Sequence, residues 1–236
     1  MIDQPIEDFN NFKSLGKIGQ GSYGKVYLIQ DQETQKIYAA KFITELSGDP
    51  RTILINLVRE VNIIARVYHP SILQFVSFGQ MKNTDNELNP VIITEYMTNE
   101  SLQVILEKEK QMIVSKQWND TKKLINLYGI AAGMKFLHTH NIIHRDLKPG
   151  NILEDSNFYP KIADFGLSKA LHVREESMSN LSIAHTKGTP YYIAPEIWKD
   201  PPIYDKPGDV YAYAIMAYQI LTNQLPFESC NRNTVQ

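Results

Sequence analysis

The sequence predicts a two-lobed α+β fold, in which a β-rich N-terminal lobe precedes a mostly helical C-terminal lobe. Up to Met97 the apolar residues recur with a period of about two, apart from one segment with helical spacing. After Met97 the period changes to about 3.6, which is typical of helices. We therefore expect one domain over residues 12–236, with an N-terminal lobe at 12–97 and a C-terminal lobe at 98–236.

Composition and charge narrow the class of protein. The 236 residues are 43% hydrophobic and 21% charged, the balance of a globular protein with a real core. A net charge of −2 predicts neither a nucleic-acid nor a membrane partner. The single cysteine, Cys230, excludes an internal disulfide and suits a reducing compartment. We find no signal peptide, and residues 210–225 are too short and too polar to span a membrane, so we expect a cytoplasmic protein.

Three glycines separate the first two predicted strands, at residues 12–17 and 25–30. Gly19, Gly21 and Gly24 would let the backbone approach a phosphate closely. In a dinucleotide-binding fold such glycines lead from a strand into a helix, whereas here the chain continues as a strand. The pattern therefore predicts a β-hairpin that covers a mononucleotide.

The rest of the N-terminal lobe contains one lysine and one glutamate of interest. Lys41 lies among apolar residues in a third strand, 37–43, and Glu60 lies beside the apolar face of a helix predicted at 51–67. Taken alone, Lys41 is a strand lysine that reaches water and Glu60 is a solvated charge. Two further strands, 72–79 and 91–96, are predicted on either side of a polar loop at 81–90.

The C-terminal lobe contains the most distinctive stretch, a polar loop that follows two predicted helices at 101–110 and 121–140. Asp146 can accept or orient a hydroxyl proton, Lys148 can neutralise a phosphate, and Asn151 offers an oxygen to a hard cation. Apolar pairs on either side of this loop predict two short buried strands. Downstream, Asp164 follows another short strand and suits a divalent cation.

These motifs, in this order, resemble the eukaryotic protein kinase domain over roughly residues 12–227. The resemblance rests on the glycine-rich hairpin, the Ala39-x-Lys41 strand, the helical Glu60, the loop His144-Arg145-Asp146-Leu147-Lys148-Pro149-Gly150-Asn151, the Asp164-Phe165-Gly166 triplet and the Ala194-Pro195-Glu196 triplet. It implies a kinase-like fold with an antiparallel sheet and one helix in the first lobe. Because the family continues with further helices, we expect the second lobe to be incomplete at its C-terminus.

The resemblance also implies a role for each matching residue. Lys41 would hold the α- and β-phosphates of ATP and would be fixed by Glu60. Asp146 would orient the substrate hydroxyl, Lys148 would steady the γ-phosphate, and Asn151 and Asp164 would coordinate Mg²⁺. The expected nucleotide-binding residues are Ile18, Gly19, Gly21, Gly24, Val26, Ala39, Lys41, Thr94, Glu95, Met97 and Leu153.

The implied function is ATP-dependent phosphorylation of protein serine and threonine. Lys148 and Thr189 match serine/threonine rather than tyrosine kinases, and features such as Glu95-Tyr96-Met97 lean toward the tyrosine-kinase-like group. Arg145 beside Asp146 suggests activation by another kinase, because an arginine can pair with a phosphate. The candidate residues for phosphorylation are Ser177, Ser179, Ser182 and Thr186. The alternative is that these residues only keep a polar segment soluble.

The C-terminus supports a competing interpretation. Without further helices, we expect a buried Glu196 to lack a counter-charge and the apolar helix from residue 210 to lie exposed on one side. The alternative function is therefore an inactive nucleotide-binding or scaffolding module of the same fold. A small-molecule kinase is less favoured, because the segment 188–196 resembles one that docks protein substrates.

Overall fold

The computed structural model describes residues 7–8, 11–21, 24–43, 58, 61–82, 88–164, 169–170, 190–199 and 203–226. Their contacts divide the chain into two units, Met1–Tyr68 with Leu73–Thr98, and His69–Ile72 with Asn99–Gln236. Within the described ranges, no helix has both the length and the apolar character needed to cross a membrane.

The first unit is built on one sheet. Its strands are β1 (Glu7–Asp8), β2 (Phe12–Gly21), β3 (Gly24–Asp31), β4 (Ile37–Ile43), β5 (Phe75–Lys82) and β6 (Leu88–Glu95). Their order is β1-β5-β6-β4-β3-β2, and β2 to β6 pair antiparallel as predicted. β1 pairs parallel to β5 and precedes residue 12, so the sheet extends beyond the predicted start of the domain. The sequence did not predict β1, because its two residues are too few to show an alternating pattern.

The loop predicted at residues 81–90 is shorter than expected. β5 continues to Lys82 and β6 begins at Leu88, and these two residues are paired. Composition predicted a loop because the segment is polar, but backbone pairing in a hairpin does not require apolar side chains. The strand predicted at 72–79 is also divided: Ile72 forms an isolated parallel bridge with Ile162 in the second unit, and β5 starts at Phe75.

The helix predicted at 51–67 falls largely outside the described residues. Residues 58 and 61–64 are helical, and Val61 and Ile64 are buried on the predicted apolar face. The helix ends at Ile64 rather than at Val67. The turn that follows is tighter, because the Val67 N–H donates to the carbonyl of Ile64, three residues earlier.

The second unit contains the predicted helices. They are α1 (Leu102–Lys110), α2 (Asp120–Thr139) and α3 (Lys206–Thr222). The two predicted at 101–110 and 121–140 begin within one residue of their expected positions. α2 begins where the side-chain oxygen of Asn119 accepts a hydrogen bond from the Lys122 N–H at 3.1 Å, which satisfies one of the unpaired donors of the first turn.

Short strands connect these helices and carry the polar loop. They are β7 (Ile142–Ile143), β8 (Ile152–Glu154), β9 (Pro160–Ile162) and β10 (Lys169–Ala170). β8 pairs with β9 and β7 with β10, both antiparallel. Two glycines of α2 let β9 approach: a Cβ on Gly129 would lie 2.7 Å from the Pro160 side chain, and one on Gly133 would lie 2.7 Å from that of Ile162. Close packing on α2 therefore fixes the strand that ends just before Asp164.

The apolar helix α3 is buried on one side. Its buried residues include Ile215, Met216 and Ile220, whereas Val210 is 58% and Leu221 57% exposed. The prediction that one side of this helix lies exposed is therefore confirmed within the described residues.

Candidate active site

The polar loop that the sequence singles out lies between two short buried strands, as predicted. β7 leads into residues 144–148, a 3₁₀ turn follows at Pro149–Asn151, and β8 begins directly after it. Proline starts this turn because its fixed φ suits the first helical position. The strands bury Ile142, Ile143 and Ile152, so the polar residues between them are held at a defined place in the second unit.

Asp146, Lys148 and Asn151 are joined by direct hydrogen bonds. The Lys148 ammonium lies 2.6 Å from Asp146 Oδ2, and Asn151 Nδ2 donates to the same oxygen at 2.9 Å. Asn151 Nδ2 also donates to the Asp146 carbonyl at 2.7 Å. Two donors therefore orient one carboxylate, and the three residues singled out for chemistry form one cluster.

His144 connects this cluster to the strand that leads to Asp164. The Asp146 N–H donates to His144 Nδ1 at 3.3 Å, so Nδ1 carries no proton in this arrangement. The proton then resides on Nε2, which donates to the Ala163 carbonyl at 3.1 Å. His144 is fully buried, and its ring therefore fixes the distance between the loop and the residue before Asp164.

Asn151 and Asp164, the two predicted cation ligands, flank a pair of strands: Asn151 directly precedes β8, and Asp164 follows the end of β9. The Ala163 N–H donates to the Asn151 carbonyl at 2.8 Å, which ties the start of β8 to the end of β9. Asp164 adopts a left-handed φ of 62°, a conformation that costs energy for a residue with a Cβ.

The donor set fits Mg²⁺. Asn151 Nδ2 is committed to Asp146, so Oδ1 is the atom that can bind a cation. Mg²⁺ is commonly bound through one or two carboxylates, waters and substrate phosphates rather than by an all-protein cage. Across the described ranges, no cluster of three or more His, Cys, Asp or Glu residues could hold a metal ion.

Asp209, near the start of α3, fixes the backbone of the loop. Its Oδ2 accepts from the His144 N–H at 2.9 Å and its Oδ1 accepts from the Arg145 N–H, also at 2.9 Å. His138 Nε2 lies 2.8 Å from the same Oδ2. The sequence analysis assigned no role to Asp209 or to His138. The signal for Asp209 was an acidic residue opening an otherwise apolar helix.

The first unit gathers its predicted nucleotide-binding residues on one face of the sheet. Val26 is paired with Lys41, and Ala39 with Thr94, in neighbouring strands. Paired residues share a face, and Ala39 and Lys41 are two apart on β4, so all four side chains point the same way. Gly19, paired with Val26, lies on this face too.

The opposite face of the same sheet is its core. It contains a cluster of buried side chains: Ile29, Ala40, Phe42, Val91 and Ile93. Gly24 is required where β3 meets β4, because a Cβ there would lie 1.8 Å from the Phe42 carbonyl oxygen. Gly21 is paired with Gly24 at the end of this hairpin, and Ile18 is exposed on β2. The glycine-rich segment thus forms the predicted β-hairpin.

The predicted adenine-binding segment follows the end of β6. The Glu95 N–H donates to the Gln74 carbonyl at 3.0 Å, and a Glu95 carboxylate oxygen accepts from the Gln74 N–H at 2.8 Å. These two bonds fix the backbone just before Met97. In the second unit, Leu153 is half-buried in β8 and bridges to Ser101.

Several predicted residues lie outside the described part of the chain. They are Glu60, the phosphorylation candidates Ser177, Ser179, Ser182 and Thr186, the residues Phe165 and Gly166 that follow Asp164, and Thr189. Their roles, including the Lys41–Glu60 pair and an activating kinase, stay predictions. Glu196 is described and is only half-buried, so the expectation of a buried Glu196 is wrong. It lies in a short 3₁₀ turn, Pro195–Trp198, which buries none of its residues.

Comparison with known proteins agrees with this geometry. The protein kinase domain profile matches residues 12–236. Serine/threonine-protein kinase CTR1 of Arabidopsis thaliana is 33% identical over 91% of this chain, and serine/threonine-protein kinase 36 of Mus musculus is 32% identical over 90%. Dual specificity protein kinase shkC of Dictyostelium discoideum is 34% identical over 92%. The chain spans 24%, 15% and 40% of these relatives, respectively. The chain therefore belongs to the protein kinase domain family.

Proposed function

We propose that the chain is an ATP-dependent serine/threonine protein kinase, which transfers the γ-phosphate of ATP to hydroxyl groups of protein substrates. The observation that carries this proposal is the bonded cluster of Asp146, Lys148 and Asn151. The names of relatives such as CTR1 support the serine/threonine class.

Asp146 is the proposed residue for orienting the acceptor hydroxyl. Lys148 and Asn151 both donate to Oδ2, which turns the carboxylate so that Oδ1 can accept from a hydroxyl. Phosphoryl transfer passes through a loose transition state, so the main contribution of such a residue is to align the acceptor oxygen with the phosphorus.

Charge on the phosphates is the second requirement. Lys148, already beside Asp146, would reach the γ-phosphate, and Lys41 would contact the α- and β-phosphates with Glu60 as its partner. Asn151 Oδ1 and Asp164 would hold Mg²⁺, which when bound supplies positive charge to the phosphate oxygens. Fixed charges of this kind require little rearrangement during the reaction.

The nucleotide is proposed to lie on the face of the sheet that carries Lys41. Val26 and Ala39 offer apolar contacts to the base on that face, with Thr94 at its edge. The backbone of Glu95 and Met97 would bond the adenine edge, and Gly19, Gly21 and Gly24 would allow the hairpin to approach the phosphates. Ile18 and Leu153 would complete the apolar contacts.

Labelled ATP and Mg²⁺ with serine, threonine and tyrosine peptides provide the test, because one relative is named a dual specificity kinase. Asp146→Asn removes the hydroxyl-orienting carboxylate and is expected to lower kcat at least a hundredfold, with nucleotide affinity changed little. Asp120→Asn is the matched control, because it makes the same chemical change on the exposed first turn of α2.

Three outcomes would contradict all or part of the proposal. Transfer that persists in Asp146→Asn would mean that the carboxylate does not take the proposed part. Binding of ATP without any transfer by the wild type would favour the alternative, a nucleotide-binding module of the kinase fold. Transfer to tyrosine peptides alone would overturn the acceptor class but not the kinase activity.

A further inference from the structure

The residue before Asp146 has an unusual conformation that must be held in place. Arg145 adopts a left-handed φ of 69° although it is not glycine. Such a conformation costs energy for any residue with a Cβ and persists only where surrounding contacts maintain it. Because Asp146 follows directly, the backbone of Arg145 sets the direction in which the Asp146 side chain leaves the loop.

Among the described residues, two contacts that hold Arg145 come from one short stretch of chain. Its backbone N–H donates to Asp209 Oδ1 at 2.9 Å. Its guanidinium carbon lies 5.0 Å from the centre of the Tyr204 ring. Tyr204 and Asp209 lie on either side of the start of α3, so the N-terminal end of this helix contacts both the backbone and the side chain of Arg145.

The aromatic contact compensates for burial of the cation. Arg145 Nε is buried and has no hydrogen-bond partner within the described ranges. Burial lowers the pKa of the guanidinium, and the interactions with Tyr204 and Asp209 oppose that effect. A guanidinium remains charged at any physiological pH, so a desolvated one requires a favourable partner. The face of an aromatic ring is such a partner, and its attraction grows as water is excluded.

We propose that Tyr204 is a positioning residue for phosphoryl transfer: its ring holds the Arg145 guanidinium and thereby the left-handed backbone that directs Asp146. This inference rests on the proposed kinase function. Tyr204 does not touch the reacting atoms and acts through Arg145. The flat face of the ring is the part that matters, so a phenyl ring can replace it and an aliphatic side chain cannot.

Kinetics of three variants test the catalytic part. Tyr204→Leu is expected to lower kcat about tenfold with KM for ATP unchanged within about twofold, because only the alignment of the acceptor is affected. Tyr204→Phe keeps the ring and is expected to restore most of kcat. Tyr218→Leu is the matched control, since Tyr218 is an exposed tyrosine of α3. A loss in Tyr204→Phe equal to that in Tyr204→Leu, or no loss in Tyr204→Leu, would overturn the proposal.

A second measurement needs no activity and separates this inference from the kinase proposal. The Arg145 Nε–Hε signal in a ¹⁵N NMR spectrum, assigned by its absence from Arg145→Lys, should carry the ring-current shift of a proton near an aromatic face. The shift should persist in Tyr204→Phe and disappear in Tyr204→Leu, while thermal melting shows that both variants fold. An unshifted signal in the wild type would overturn the stacking, even if the wild type transfers no phosphate. A shifted signal in an inactive wild type would retain the stacking and reject the kinase proposal instead.

Discussion

Two buried carboxylates of the second unit differ in how they are satisfied. Asp209 is 3% exposed, and its oxygens receive two backbone N–H groups, from His144 and Arg145, together with the His138 ring. Glu154, at the end of β8, is 0% exposed. Within the described ranges, Glu154 Oε2 accepts one long hydrogen bond, and Glu154 Oε1 has no hydrogen-bond partner.

The polar surroundings of Glu154 are poorly matched. Asn126 Nδ2 lies 3.4 Å from Glu154 Oε2 and also within bonding distance of the Lys122 and Phe158 carbonyls, so two hydrogens face three acceptors. Burial raises the pKa of Glu154 to about 8, and nearby Asp155 adds to the rise, while Asn126 and Lys122 oppose it. A protonated Glu154 would add the missing donor. Burial therefore raises the pKa of a carboxylate that has few hydrogen-bond donors around it.

The largest expected effect is the pH dependence of stability caused by Glu154. Its pKa is about 8 when folded and near 4.5 when unfolded, so the folded state holds the extra proton between these values. Stability from this group is fully present below about pH 4.5 and is lost as the pH rises to about 8, by at most about 5 kcal/mol. Urea unfolding at several pH values should show this fall, and Glu154→Gln should remove it.

Glu33→Gln provides the control for that titration, because Glu33 is exposed in the turn after β3. The same fall in Glu154→Gln as in the wild type would show that another group is responsible. Stability that Glu154→Gln leaves unchanged in its dependence on pH between pH 5 and pH 8 would show that Glu154 is already ionised in the folded protein.

Replacing Asp209, the carboxylate with three hydrogen-bond donors, should have the next largest effect. In Asp209→Asn an amide NH₂ must face one of the two loop N–H groups, whichever way the amide is turned. We expect a loss of about 3 kcal/mol in the free energy of unfolding and a roughly hundredfold fall in phosphoryl transfer, because the loop is misplaced. Asp120→Asn again provides the control, and unfolding curves that match the wild type would contradict the role of Asp209.

Removing the His138 ring, one of the three donors to Asp209, should have the smallest effect. His138→Leu leaves both backbone N–H groups on Asp209 and is expected to cost about 1 kcal/mol of unfolding free energy. His138→Gln can place an N–H near the position of Nε2 and should recover part of that loss. A cost for His138→Leu as large as that for Asp209→Asn would mean that the His138 bond, rather than the backbone bonds, holds the loop.

Much of the fold could be predicted from the periodicity of apolar residues and from the residues that interrupt helices and strands. Five antiparallel strands, the helices α1 and α2 and the glycine hairpin follow from spacing, because apolar side chains must reach one face of an element. The pairing between strands did not follow from spacing. Ile72 pairs with Ile162 of β9 and is not part of β5, and polar residues extend β5 and β6. Alternation describes one strand at a time and contains no information about which strand lies beside it.

The candidate site divides in the same way. Asp146, Lys148 and Asn151 were identifiable because three unusual polar residues lie within six positions of one another, and the structure brings them into contact. His138 and Tyr204 were not, because each acts across a sequence distance that local patterns do not span. Glu154 was missed because an acid beside Asp155 looks like a solvated pair.

The sequence by itself therefore determined the family, the order of the elements and the identity of the polar loop, since these depend on residue type and spacing along the chain. Only the tertiary structure decided which groups support that loop and which buried carboxylate has too few donors. Hydrogen bonds such as those of Asp209 to His144 and Arg145 join residues more than sixty positions apart. Their free energy depends on burial and on the donors within reach, and both are properties of the packed chain alone.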